Sequence, residues 1–278
     1  MTSDALRNTF VRRTAPRPPG AVTVVLAFAT RTLWKIRHNP QQLFDAVFFP
    51  IVVTLVFTYL FGGALAGSTH DYLQYLQPGV LVLAVSLISM NTGVALNVDV
   101  TKGIFDRFRS LPIWRPAVLV GALLGDTLRY ASAATVSVLV GLVLGFRPAG
   151  GVGGVVLGIL LIVLFAFSFS WVWTTMGLLA RKPETVMSVS GLALLPLTFL
   201  SNLFVDTHTM PGWLSAAVQV NPVTHVVAAV RGLMSGTATA GQAGAALLAC
   251  AVLIAVFGVA TGVLYRRQSE GEGRLLRR

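Results

Sequence analysis

The chain has 278 residues, 55% of them hydrophobic and only 11% charged, and its mean hydropathy is +0.76. With that composition most of the chain has lipid as its solvent, so the net charge of +11 points to membrane topology and away from nucleic acid. The single cysteine, Cys250, excludes an internal disulfide and any CxxC metal or redox motif.

Residues 1–20 carry Arg7, Arg12, Arg13 and Arg17 among Pro16, Pro18, Pro19 and Gly20. A tail of this composition cannot bury a core and is expected to be disordered on the cytoplasmic side. The following Ala21–Ala29, ending in Ala27-Phe28-Ala29, imitates a signal peptide, but the apolar pattern runs on past the supposed cleavage point and predicts retention. Over 22–38, Leu26, Ala29, Leu33 and Ile36 make one stripe, while Arg31, Lys35 and His38 line another face. With Trp34 as an anchor, this segment reads as an amphipathic helix in the plane of the cytoplasmic leaflet, where anionic headgroups attract clustered cations. The alternative is a short cytosolic helix packed on a partner.

Apolar runs near the ~20 residues needed to cross hydrocarbon then recur six times. The first is about 44–65, with Pro50 one turn inside. A polar loop, Gly67–Gln77, precedes the second at 78–98, which Pro78 would open at its first turn. The stretch from Asp99 to Pro116, DVTKGIFDRFRSLPIWRP, is a basic island. Ile104, Phe108 and Leu111 fall at i, i+4 and i+7, and Asp106, Arg107 and Arg109 occupy other faces. A loop that merely joins two spans needs no greasy helical face. The island therefore reads as a plug for a groove on a partner, since Phe105 and Phe108 would otherwise stand in water.

The third span, 117–144, contains Asp126 and Arg129. Intramembrane charges default to a functional reading, yet an i, i+3 pair near the cytoplasmic end can neutralise itself with no substrate, and the second explanation is preferred. After a glycine-rich turn come the fourth span, 155–179, a basic turn with Arg181 and Lys182, and the fifth span, 185–204, with a kink expected at Pro196. The aromatics of the first span offer stacking surfaces to a flat amphipathic substrate, whereas those of the fourth are read as lipid-facing bulk. The sixth span is 243–265, followed by a basic tail, 266–278.

Of the 21 Lys and Arg, seven precede the first span, four lie in the island, two in the Arg181 turn and five in the C-terminal tail. That imbalance predicts both termini and the island in the bacterial cytoplasm. No G-x-x-x-x-G-K-[ST], HExxH spacing, G-x-S-x-G elbow or DDxxD-like acidic cluster occurs. The chain is thus expected to be no enzyme and to hold no metal. Energy has to come from a companion.

KGIFDRFRSLPI at Lys102–Ile113 and PLTFLSNLFVDTHTMPGWLSAAVQVNPVTHVVAAVRGL at Pro196–Leu233, on this six-span layout, resemble the membrane subunits of ABC-2-type exporters. QLFDAVFFP at Gln42–Pro50, TYLFGGALAGSTHDYLQYLQPG at Thr58–Gly79 and IWRPAVLVGALLGD at Ile113–Asp126 are similar to permeases of the daunorubicin/doxorubicin-resistance (DrrB-like) type. One departure is Asp206-Thr207, where family members often have proline. The resemblance covers nearly all of the chain beyond the tail.

It implies an all-α polytopic membrane protein of six transmembrane helices, with a connecting interfacial helix and short re-entrant helices in the outer leaflet between spans five and six. It further implies a homodimer with two copies of a separate cytosolic ABC ATPase, on which ATP and Mg would be bound. Lys102, Gly103, Ile104, Phe105, Asp106, Arg107, Phe108, Arg109 and Leu111 would form the helix coupling the two. The substrate path or dimer interface would include Phe49, Phe57, Asn91, Phe199, Asn202 and Phe204, and the cargo would be an amphipathic drug leaving by alternating access. A lipid or lipid-linked glycan is the alternative cargo. An ion-coupled transporter working alone is a third reading, opposed by the few carboxylates at membrane depth.

Overall fold

A computed structural model of the protein describes residues 40–102, 116–205 and 210–275, together with Gly20, Thr23, Leu26, Ala27, Thr30 and Trp34; the side chains of 40–47, 65–66, 116–119 and 266–275 are outside that description. Eight helices have described bounds: α1 (Pro40–Ala66), α2 (Thr69–Thr101), α3 (Pro116–Val143), α4 (Gly151–Leu179), α5 (Pro183–Phe199), α6 (Gly212–Val220), α7 (Pro222–Ser235) and α8 (Ala240–Leu275). No strand occurs among the described residues.

By length and apolarity, α2, α4 and the 240–265 part of α8 qualify as membrane spans. In α2, 72% of the apolar window is buried within the protein, against 11% for α8. The first is therefore the axis of the bundle and the last its periphery. Around α2 the core joins Leu81, Val82 and Val85 to Tyr130 and Ala134 of α3, Phe165, Phe169 and Trp173 of α4, and Val226, Val230 and Met234 of α7.

Three boundaries differ from the sequence expectation. Helix α2 begins at Thr69, so Gly67–Gln77 is mostly helix and Pro78 lies inside it. The cause is local: Ser68 caps the helix by accepting from the Asp71 N–H at 3.0 Å, and Tyr72, Leu73 and Leu76 are buried. Helix α4 begins at Gly151, and at Gly154 in its first turn the backbone of Leu233 packs where a Cβ would stand. The fifth helix does not kink at Pro196 and continue. It stops at Phe199, and residues 201–205 run on as a non-helical strip.

The aromatics of α4 also differ from expectation. Phe165, Phe169 and Trp173 are fully buried at i, i+4 and i+8, with Trp173 set edge-on to Phe169 at 4.8 Å. Trp173 Nε1 donates to Ser89 Oγ at 2.9 Å, which satisfies its polar edge in the core. They are packing residues rather than lipid-facing bulk.

Helices α6 and α7 bend by 84° at Asn221. The strip that precedes them touches α2 near its Thr69 end, where Tyr72 OH donates to Phe204 O at 3.2 Å. The residue after them returns to the same end of the bundle, with Gly236 packed on Gly150 and Gly150 N–H bonded to Met234 O at 2.8 Å. The segment thus leaves and returns at one end of the bundle.

Candidate functional site: an aromatic cleft and a buried ion pair

Between α1, α2 and α5 lies a cavity of ≈ 240 Å³ whose walls include Phe49, Val53, Phe57, Leu83, Leu194 and Phe199. A second, of ≈ 330 Å³, continues toward the Thr69 end beside Phe61, Tyr72, Ser201 and Met210. Phe57, Phe199 and Phe204 line both. The rings of Phe57 and Phe204 stack at 4.3 Å and 19°, and Phe199 tilts against Phe204 at 5.6 Å. The 61% exposure of Phe199 leaves the aromatic wall open on the outer side of the bundle. Such a surface offers area and stacking to a flat apolar group.

Four residues named from the sequence, Phe49, Phe57, Phe199 and Phe204, thus meet in one cleft although the chain separates the first two from the last two by more than a hundred positions. Two do not. Asn91 is half-buried on α2 and lines neither cavity. Asn202 sits behind the wall: its carbonyl accepts from Tyr75 OH and Arg231, while its side-chain oxygen is buried without a hydrogen-bond partner.

Across the bundle, Arg129 Nη2 lies 3.2 Å from Asp126 Oδ1 with both side chains buried. Thr92 of α2, which the sequence reading did not single out, completes the group. Its hydroxyl donates to Asp126 Oδ2 at 2.5 Å and lies 2.6 Å from Tyr130 OH. A hydroxyl has one proton to give, so Tyr130 is the donor in the second bond. Arg129 Nη2 donates to Thr92 Oγ1 and to Ile88 O. Each charge is therefore hydrogen-bonded as well as paired, as an ion pair in an apolar interior requires. By helix rise Asp126 lies about 15 Å along α3 from Pro116.

At the opposite end from Thr69, Lys102 is exposed and closes α2, its N–H bonded to Val98 O at 3.0 Å. Gly103, Ile104, Phe105, Asp106, Arg107, Phe108, Arg109 and Leu111 lie outside the described residues, as do Arg31 and Lys35 of the interfacial segment and Asp206-Thr207. Trp34 is helical and exposed. Among the described residues no group of three or more His, Cys, Asp or Glu could hold a metal.

The profile of the family described as ABC-2 type transporter matches residues 23–235. The chain is 46% identical, over 96% of its own length and 94% of the relative's, to the daunorubicin resistance ABC transporter permease protein DrrB1 of Streptomyces coeruleorubidus. It is 25% identical, over 91% of its length and 94% of the relative's, to the probable doxorubicin resistance ABC transporter permease protein DrrC of Mycobacterium tuberculosis. A putative transport permease, ycf38, of Cyanophora paradoxa is 28% identical over 74% of this chain and 72% of its own.

Proposed function

This chain belongs to the ABC-2 type transporter family, and from that premise we propose that it exports a flat, amphipathic, daunorubicin-like drug through the aromatic cleft. It is the membrane permease subunit; ATP hydrolysis belongs to a partner ATPase. The observation that carries the cargo reading is the Phe57–Phe204 stack set between two hydrocarbon-lined cavities. A drug with fused aromatic rings matches such walls in shape and polarity.

The working unit in this reading is a homodimer with two ATPase subunits, six spans per copy, and both termini in the bacterial cytoplasm. The six spans are α1 to α5 and α8, with α6–α7 re-entrant at the outer leaflet. What supports the orientation is the concentration of Lys and Arg in the tails, the island and the Arg181 turn. The interfacial segment 22–38 lies on the inner leaflet, and Lys102–Leu111 docks in the ATPase. Closure of the two ATPase subunits around ATP draws the two copies together and turns the cleft outward.

Efflux of a fluorescent anthracycline from cells expressing this chain with its ATPase tests the reading. Phe105→Ala combined with Phe108→Ala is expected to abolish efflux while ATPase activity and membrane insertion persist. Unchanged efflux in that double variant removes the docking assignment. The hydrocarbon lining also suits an acyl chain, so a labelled lipid that displaces the anthracycline would favour lipid cargo instead. Gradient-driven transport in proteoliposomes without any ATPase would overturn the ATP-driven reading altogether.

A further inference from the structure

Residues 201–205 leave helical geometry inside the apolar body of the bundle, where a backbone carbonyl without a partner is strongly destabilising. Side chains from outside the strip answer that need. Asn221 Nδ2 donates to Leu197 O at 2.7 Å and Leu200 O at 2.6 Å. Tyr75 OH and Arg231 Nη2 both donate to Asn202 O, at 3.1 and 3.0 Å, and Tyr72 OH donates to Phe204 O. Leu203 O rests on Gly79, where an added Cβ would lie 2.7 Å away. Tyr72, Tyr75 and Gly79 stand at i, i+3 and i+7, so one face of α2 receives the strip.

Arg231 is the residue that ties this arrangement together. From α7, Nε donates to Tyr75 O at 3.1 Å, and the guanidinium lies 3.7 Å from the centroid of the Tyr75 ring. The same group that bonds the strip at Asn202 therefore also fixes Tyr75, the other donor to that carbonyl. A planar fork over an aromatic face can do both at once; an ammonium cannot reproduce the geometry.

We propose that Arg231 is a positioning residue for the drug path: by clamping the 201–205 strip to α2 it holds the Phe204 ring stacked on Phe57 between the two cavities. It does not itself line either cavity. The inference rests on the cleft being the path of the drug, and it adds what sets the position of the cleft's central ring.

The test uses the full chain in membranes with its ATPase, Cys250→Ala as background and Val205→Cys as a reporter, since Val205 lines the second cavity beside Phe204. Arg231→Gln is expected to raise the rate of maleimide labelling at least fivefold at equal amounts of folded protein, with Arg231→Lys intermediate. In the same variant, without the reporter, the half-saturating drug concentration should rise at least fivefold while the maximal efflux rate falls less than twofold. Unchanged labelling in folded Arg231→Gln overturns the clamp. Should that variant not fold, Tyr75→Phe, which deletes only the hydroxyl bonded to Asn202, must raise labelling at least twofold, and failure to do so overturns the clamp equally. Labelling is read without any drug, so a parent chain that moves no anthracycline overturns the transport reading alone.

Discussion

Gly177 of α4 faces Gly93 of α2 so closely that a methyl group on it would lie 2.5 Å from the Gly93 carbonyl oxygen. A methyl on Gly93 would in turn strike the Trp173 carbonyl. Close backbone approach at paired small residues is how membrane helices gain packing contact. Gly177→Ala is expected to destabilise the fold by about 1–3 kcal/mol through overpacking, read as a lowered thermal midpoint in detergent. Gly63, where an added Cβ meets nothing within 4 Å, is the matched control. Equal midpoints for the two alanine variants would sink the packing argument.

The buried pair of Asp126 and Arg129 predicts non-additivity. Removing one charge leaves the other unpaired in an apolar interior, at a cost of about 3–5 kcal/mol, whereas removing both leaves none. Asp126→Asn and Arg129→Gln should each reduce folded yield severely, and the double variant should recover part of it. Thermal unfolding of all three gives the coupling energy directly. A double variant worse than either single would contradict the pairing.

For the cleft, stacking between aromatic rings contributes about 0.5–1.5 kcal/mol beyond the area it covers. Phe57→Leu keeps most of that area and deletes the ring, so the half-saturating drug concentration should rise by roughly 2- to 12-fold. Phe57→Ala should raise it further. Phe61, tilted against Phe57 at 5.4 Å but lining only the second cavity, should matter less. Drug efflux across this series is the measurement, and a flat series would detach the cleft from the drug.

Asn221 has two separable duties. Its side-chain oxygen caps α7 by accepting from the Val223 N–H at 2.9 Å, and its amide nitrogen holds the end of α5. Asn221→Ser keeps a neutral capping oxygen and loses the amide donor to the α5 carbonyls; Asn221→Ala loses both. The alanine variant should be the less stable by about 1 kcal/mol, the usual worth of an N-cap. Urea titration of the two variants decides it, and equal stability would mean the cap contributes nothing.

Much of this architecture is legible in the chain, for reasons that differ from element to element. Helix α3 runs from Pro116 to Val143, nearly the expected 117–144, because apolar content and a proline at its first turn agree there. The start of α2 was hidden because Thr69-His70-Asp71 is polar, although Ser68 followed three residues later by Asp71 is a cap signature that could have revealed it. The Phe165, Phe169, Trp173 spacing marked one face of α4, but in a membrane helix an apolar face can meet lipid or protein alike, and burial of that face is seen only in the structure. Thr92 and Tyr130 could not be joined to Asp126 from spacing, since partners on different helices leave no periodicity. The same holds for the ring cluster: Phe204 reaches Phe57 from the non-helical strip beyond α5, whose last carbonyls are held by Asn221, two dozen positions further on.

In the proposed topology the hairpin formed by α6 and α7 adds no crossing, since it returns to the end of the bundle it left. A reporter enzyme fused just ahead of Gly212 and one fused just behind Ser235 would therefore sit in the same compartment. A map built from such fusions would draw this segment as a plain surface loop. Only a probe of depth, such as quenching by spin-labelled lipids along α7, would tell the proposed dip into the bilayer from a loop lying on its surface.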